Sequence, residues 1–225
     1  MREVMVQYLQ HRLLKWFDEN HRIFPWREDQ ATKYQQIVSE ILLQRTKAET
    51  VAKYYDTFFS KFPDWNALAN ASLEELEEIM KPLGLYHHRA RRLYKLGEDI
   101  RRRGGRIPGD ENELRDSGFI GLYVTNAFEL FMLKNRKPLL DVNMSRLLKR
   151  YFKPGDFIDV RHDKEIQELA NDIIEVRRCK ELNWAILDYA ALVCKVRNPL
   201  CGKCVLNKYC RYYELFQGDV TEKPE

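Results

Sequence analysis

No stretch of this 225-residue chain approaches the run of about eighteen apolar residues that a membrane-spanning helix needs. The first eight residues, Met-Arg-Glu-Val-Met-Val-Gln-Tyr, carry charges where a secretion signal requires an apolar block, so export is not expected. Alternating apolar and polar runs of strand length are missing, and no segment repeats at the period of roughly 20–50 residues that marks solenoids and propellers. A strong net charge is missing too. The balance of 38 basic against 34 acidic residues, +4 overall, does not by itself call for a polyanionic partner.

What is present is a helical pattern around a sizeable core. Apolar residues make up 44% of the chain, enough for one large domain or two lobes sharing a cleft. Val4, Tyr8, Leu9, Leu13, Trp16 and Phe17 recur at helical spacing. Phe24-Pro25-Trp26-Arg27 breaks that helix, because proline lacks an N–H and restricts the residue before it. Ile37, Ile41 and Leu42, then Val51, Tyr55, Phe58 and Phe59, mark two more helices. Ser72 with Glu75 predicts a capping box. Pro82-Leu83-Gly84 ends the helix that follows, and another from Arg89 runs to Gly104-Gly105. The pattern continues through short helices to Val193, giving an all-α chain of about ten helices with a polar tail over 214–225.

The charge is unevenly spread. Between Arg89 and Arg106 eight basic residues face only Glu98 and Asp99, and between Lys134 and Lys153 seven face only Asp141. These two segments flank a Gly118–Gly121 turn, as a phosphate-facing surface would. A turn that frees backbone N–H groups can hold a phosphate while an isolated acid, Asp141, works nearby.

Cysteine supplies the most specific signal. Cys194, Cys201, Cys204 and Cys210 form a C-x6-C-x2-C-x5-C array. Four thiolates closing small loops suit a zinc site or a [4Fe–4S] cluster. Zinc modules usually pair two short knuckles and only one is present, which favours iron–sulfur. Cys179 is left over as a plain buried thiol.

With the array go F-P-W-R at 24–27, S-E-I-L-L-Q-R-T at 39–46, H-R-A-R-R-L at 88–93, G-x-Y at 121–123 and L-D-V-N at 140–143. In this order and spacing they resemble the endonuclease III branch of the helix-hairpin-helix DNA glycosylases over nearly the whole chain. Within that branch the sequence is most similar to the MIG-type thymine/uracil mismatch glycosylases, then to MutY-type adenine glycosylases. The resemblance implies two helical lobes with the active site in the cleft between them. Residues 22–133 would form a helical-barrel lobe containing the hairpin, and 1–21 with 134–213 a second lobe carrying the cluster loop, 194–210. It further implies an intracellular, nucleoid-associated monomer acting on double-stranded DNA that contains a mismatch, with no membrane partner.

Residue by residue, the resemblance assigns Asp141 as the carboxylate that stabilises an oxocarbenium-like sugar or activates water. Glu40 would protonate the leaving base, and burial among Ile37, Val38, Ile41, Leu42 and Leu43 would keep its proton on. Tyr123 stands where lyase members carry a lysine, and a phenol forms no Schiff base. That predicts a monofunctional enzyme. Gln44, Arg45 and Tyr86 correspond to residues inserted into the DNA, and Gly118, Phe119, Ile120, Gly121 and Asn143 to other DNA contacts. Trp26, Arg27 and Trp184 would line the base pocket. Cys194, Cys201, Cys204 and Cys210 would ligate the [4Fe–4S] cluster. Phe119 replaces the hairpin's first glycine, so either Gly118 takes over the left-handed conformation or the hairpin holds phosphate less well. Trp184 argues against adenine, as does a chain that ends at 225 with no room for an 8-oxoguanine-reading domain. Adenine excision and a catalytically inactive DNA-binding relative are the alternative readings.

Overall fold

A computed structural model describes residues 1–116, 121–154, 159 and 162–220, with side chains for all of these except 111, 115 and 216–220. Among the described residues there are twelve α-helices and no strand. None of the helices is long and apolar enough to cross a membrane. The chain divides into two compact units, one continuous (Ile23–Asn135) and one built from both ends (Met1–Arg22 with Arg136–Glu225).

Helix α1 (Arg2–Asn20) opens the two-segment unit and buries Met5, Leu9, Leu13 and Phe17, one residue per turn. The continuous unit begins with a 3-10 turn over Pro25–Arg27, where Pro25 has no N–H to lose. Helix α2 (Lys33–Leu42) starts from a reciprocal cap in which Thr32 and Gln35 satisfy each other's backbone N–H. Helix α3 (Ala48–Lys61) turns Val51, Tyr55, Phe58 and Phe59 inward. Helix α4 (Trp65–Asn70), capped by Asp64, is a single short turn-and-a-half that leaves too few residues for a periodic signal. Helix α5 (Leu73–Met80) starts at the Ser72–Glu75 capping box that the sequence predicts.

Both α4 and α5 pack on α6 (Tyr86–Arg102). Gly97 makes that approach possible, since a Cβ there would lie 2.7 Å from the Leu68 carbonyl oxygen. Helix α7 (Glu111–Arg115) is capped by Asp110 and held to α6 by Arg103, which bonds both the buried Asp99 and the Glu113 carbonyl. The apolar run from Leu122 to Leu133 is α8 (Leu122–Phe128) followed by a π turn over Glu129–Leu133. The π turn closes on Asn135, whose backbone N–H reaches Glu129 O at 3.0 Å, and it ends at Lys134 with φ of 60°.

The two-segment unit resumes with α9 (Val142–Phe152), α10 (Lys164–Ile174) and α11 (Cys179–Leu192). Helix α11 packs against α1 and α9. It carries two fully buried polar residues, Asn183 and Asp188, and Asp188 is paired with Arg22 at 2.8 Å. Helix α12 (Arg211–Val220) packs on α9 and extends through most of the stretch read from sequence as a polar tail.

Candidate active site

In the continuous unit the structure joins Glu40 and Tyr123. Helix α2 turns Glu40 inward, 2% exposed between Val38, Ile41 and Leu42. Helix α8 packs on α2, and its Tyr123 hydroxyl donates to Glu40 Oε2 at 2.6 Å. That distance belongs to strong O–H···O bonds. The bond holds the carboxyl in one orientation. Trp26 packs in the core of the same unit, 1% exposed and stacked on Phe24 at 4.7 Å, and the Arg27 guanidinium lies over the Phe24 ring at 5.1 Å.

Two loops of this unit carry the residues expected to enter DNA. Gln44 follows α2, and Arg92 of α6 donates to its side-chain oxygen. Arg45 is exposed with φ of 58°, a left-handed conformation that is costly for a residue with a Cβ. Tyr86 is half-buried at the start of α6, its ring 4.1 Å from that of His87. The sequence reading passed over its neighbour Leu85, which is 52% exposed with φ of 49°. A large apolar residue between a glycine and a strongly basic helix was the available signal. Gly118, Phe119 and Ile120 lie outside the described residues. Gly121 does not: with φ of 99° it caps α8, a conformation open to glycine at no steric cost.

Asp141 belongs to the two-segment unit. Its carboxylate is the N-cap of α9, with Oδ1 accepting from Asn143 N and Met144 N, both at 2.8 Å. Oδ2 accepts from the Asn143 amide at 2.7 Å. Asn143 is held in turn by Arg146 at 3.0 Å, and Arg146 also bonds the carbonyls of Ala190 and Cys194. Some of the residue remains at the surface, but the carboxyl group is enclosed by protein. Burial pushes its pKa above the ordinary carboxylate value, against the opposing pull of Met144 N–H, the two Asn143 donors and the Arg146 charge. Upstream, the buried Asn183 accepts from Leu139 N at 2.6 Å and donates to the Lys137 carbonyl at 3.2 Å. The segment leading to Asp141 is therefore fixed on both sides. Trp184, the next residue on α11, is buried with the Lys180 ammonium 5.1 Å from its ring centroid.

The four cysteines lie in the same unit. Cys194 follows α11, and Cys201 and Cys204 bracket a 3-10 turn. Cys210 ends a second such turn at the start of α12. All four line one pocket, together with Arg150, Leu200 and Tyr213 among others. Among the described residues no three His, Cys, Asp or Glu side chains are arranged to hold a single metal ion. Four thiols lining one pocket are the donor set of a [4Fe–4S] cluster. Tyr189 donates to Cys204 Sγ at 3.1 Å, and Arg150 holds the loop by the carbonyls of Lys195 and Val196.

The buried acid, the phenol paired with it and the capped carboxylate all fall within one family model. It is described as the HhH-GPD superfamily base excision DNA repair protein, and it matches residues 38–176. The chain belongs to this superfamily. A second model, the iron–sulfur binding domain of endonuclease III, covers residues 194–210, so the cysteine loop of this HhH-GPD protein is a [4Fe–4S] site. A thymine-DNA glycosylase of Aeropyrum pernix is 34% identical over 92% of this chain and 95% of its own length. An adenine DNA glycosylase of Mus musculus is 31% identical over 94% of this chain, which spans 43% of that protein. The solved structure of a thermostable thymine-DNA glycosylase superposes with a TM-score of 0.84 at 30% identity, covering 95% of this chain and 98% of that one.

Proposed function

We propose that this HhH-GPD protein is a monofunctional DNA glycosylase that hydrolyses the N-glycosidic bond of thymine or uracil mispaired with guanine. The observation that carries the reading is the bond between Tyr123 and Glu40. The position where a lyase needs a free amine is a phenol, and that phenol is engaged in holding an acid. Two of the three proteins named above are thymine-DNA glycosylases that match nearly the whole chain, which supports the choice of base.

In this reading the damaged nucleotide leaves the stack before reaction. The C1′–N1 bond breaks with its electron pair leaving on the base, and the base takes the proton carried by the Glu40 carboxyl. Asp141 stabilises the positive charge that develops at C1′, and takes the proton of the water that adds there. Burial prepares Asp141 for both tasks, because its charge is stabilised less by solvent than by the forming cation. The cluster supplies no chemistry to the hydrolysis. Its four cysteines hold Lys195, Arg197, Lys203 and Lys208 in a basic loop.

Labelled duplexes carrying T·G, U·G, A·G and A·8-oxoguanine pairs test the assignment. Thymine and uracil should be released, with strand breakage only after alkali. Release of adenine alone would replace this reading with the MutY-like one. Equal activity in Asp141→Asn and wild type would remove Asp141 from the reaction. Binding as a monomer should weaken steeply with salt if the basic segments contact phosphates.

A further inference from the structure

Arg89 is a charged residue buried to 6% exposure on α6, and it makes no ion pair among the contacts that hold it. Its guanidinium spends its donors on backbone carbonyls from two separate loops. Nη1 reaches the carbonyls of Leu83 and Gly84, both at 3.0 Å, and Nη2 bonds the carbonyl of Gln44. Those positions are informative. Gln44 immediately precedes Arg45 and Gly84 immediately precedes Leu85, two of the four exposed non-glycine residues held in the left-handed conformation among the described residues. One guanidinium therefore fixes the peptide plane leading into each strained residue.

One turn further along α6, Arg92 binds the Gln44 side chain. The loop after α2 is thus held by its backbone and by its side chain from the same helix face. Strain at two exposed loop residues, over-determined by one buried side chain that braces both, is the pattern of residues pre-set for a ligand. An arginine suits the task because its planar fork presents several donors in fixed directions, whereas an ammonium acts as a single point.

We infer that Arg89 is a positioning residue that locks the Gln44–Arg45 loop and the Leu85 loop into one rigid element, so that both enter the DNA stack together when a base is extruded. This role rests on the glycosylase reading, and it concerns base extrusion, not bond cleavage. Arg89 touches neither Glu40 nor Asp141 in the contacts above. Its loss should therefore penalise a substrate whose base must still be extracted from a paired stack. A substrate whose base is already unpaired should be penalised much less.

The test compares single-turnover release of uracil from a U·G pair in continuous duplex and from the same uracil in an unpaired bubble. For Arg89→Ala the ratio of duplex to bubble rate should fall by about tenfold or more, the scale expected when inserting groups lose their alignment. Thermal melting and iron content establish that the variant is folded. If Arg89→Ala does not fold, Arg89→Lys decides, because one ammonium cannot bridge the carbonyls of both loops, and the ratio should fall in the same direction. An unchanged ratio, with both rates reduced in parallel or neither reduced, overturns the proposal. Failure of the wild-type protein to release uracil from either substrate would instead overturn the glycosylase reading on which it rests.

Discussion

Tyr123 and Glu40, 83 residues apart in sequence, are joined by a bond of 2.6 Å between α8 and α2. If the phenol acts only by orienting the acid, its removal should matter only while the acid is present. Glu40→Gln should slow single-turnover excision by roughly 10²–10⁴, the usual contribution of a positioned acid. Tyr123→Phe should cost about tenfold, and the double variant no more than Glu40→Gln alone, since groups acting as a unit are not additive. Losses that multiply would mean that the two act separately.

Asp141 links activity to stability through its burial. Asp141→Asn should lower the excision rate by about 10²–10³, as loss of one charge-stabilising group does. The carboxyl's folded pKa lies above the ordinary 3.8. Below that value both folded and unfolded forms are protonated, and the group contributes nothing. As pH rises the unfolded form ionises first, so wild type loses stability relative to Asp141→Asn until the folded pKa is passed. Melting temperatures of the two proteins from about pH 4 upward should show the wild type losing ground and then a constant difference. A difference independent of pH would show that the carboxyl is not destabilised by the fold.

Local chemistry made much of this legible. The Ser72–Glu75 cap, the helical class and the four-cysteine loop each depend on residues close in sequence. Pairings across the chain were a different matter. Glu40 and Tyr123 were each recognisable as candidates, but nothing local says that one donates to the other. Arg89 reads in sequence as one more basic residue among eight, and only the fold turns it inward to meet Gln44 and Gly84. Leu85 was missed because its significance lies in exposure and a left-handed backbone, which composition does not record. The break of the 122–133 run at Glu129 is likewise set by Asn135, which reaches back to its carbonyl and side chain.

The cysteine loop gives a direct chemical test. Purified protein should be brown and contain about four irons per chain, as a [4Fe–4S] cluster requires. Cys204→Ser should lose the iron and the visible absorbance together. One zinc per chain in colourless protein would contradict the cluster.

Gly97 is a packing prediction independent of function. A Cβ there would stand 2.7 Å from a backbone carbonyl of α4, which cannot rotate away. Gly97→Ala should therefore destabilise the protein by about 1–3 kcal/mol, the cost of overpacking, despite the better helix propensity of alanine. Thermal melting measures it, and an unchanged or higher Tm would show that α4 and α6 can separate freely.

Asn183 separates stability from positioning at Asp141. Its side chain accepts from Leu139 N and donates to the carbonyls of Lys137 and Cys179, all within the two-segment unit. Asn183→Leu fills similar space but leaves the buried Leu139 N–H without that acceptor, a cost of about 1–3 kcal/mol. The Tm should fall by roughly 2–12 °C for a chain of this size. Leu139 lies two residues before Asp141, so the segment carrying the carboxylate loses its anchor as well. Measured well below the new Tm, excision should slow at saturating enzyme while the affinity for mismatched duplex stays near wild type. A lower Tm with an unaltered excision rate would confine Asn183 to stability, and would show that the α9 cap alone is enough to place Asp141.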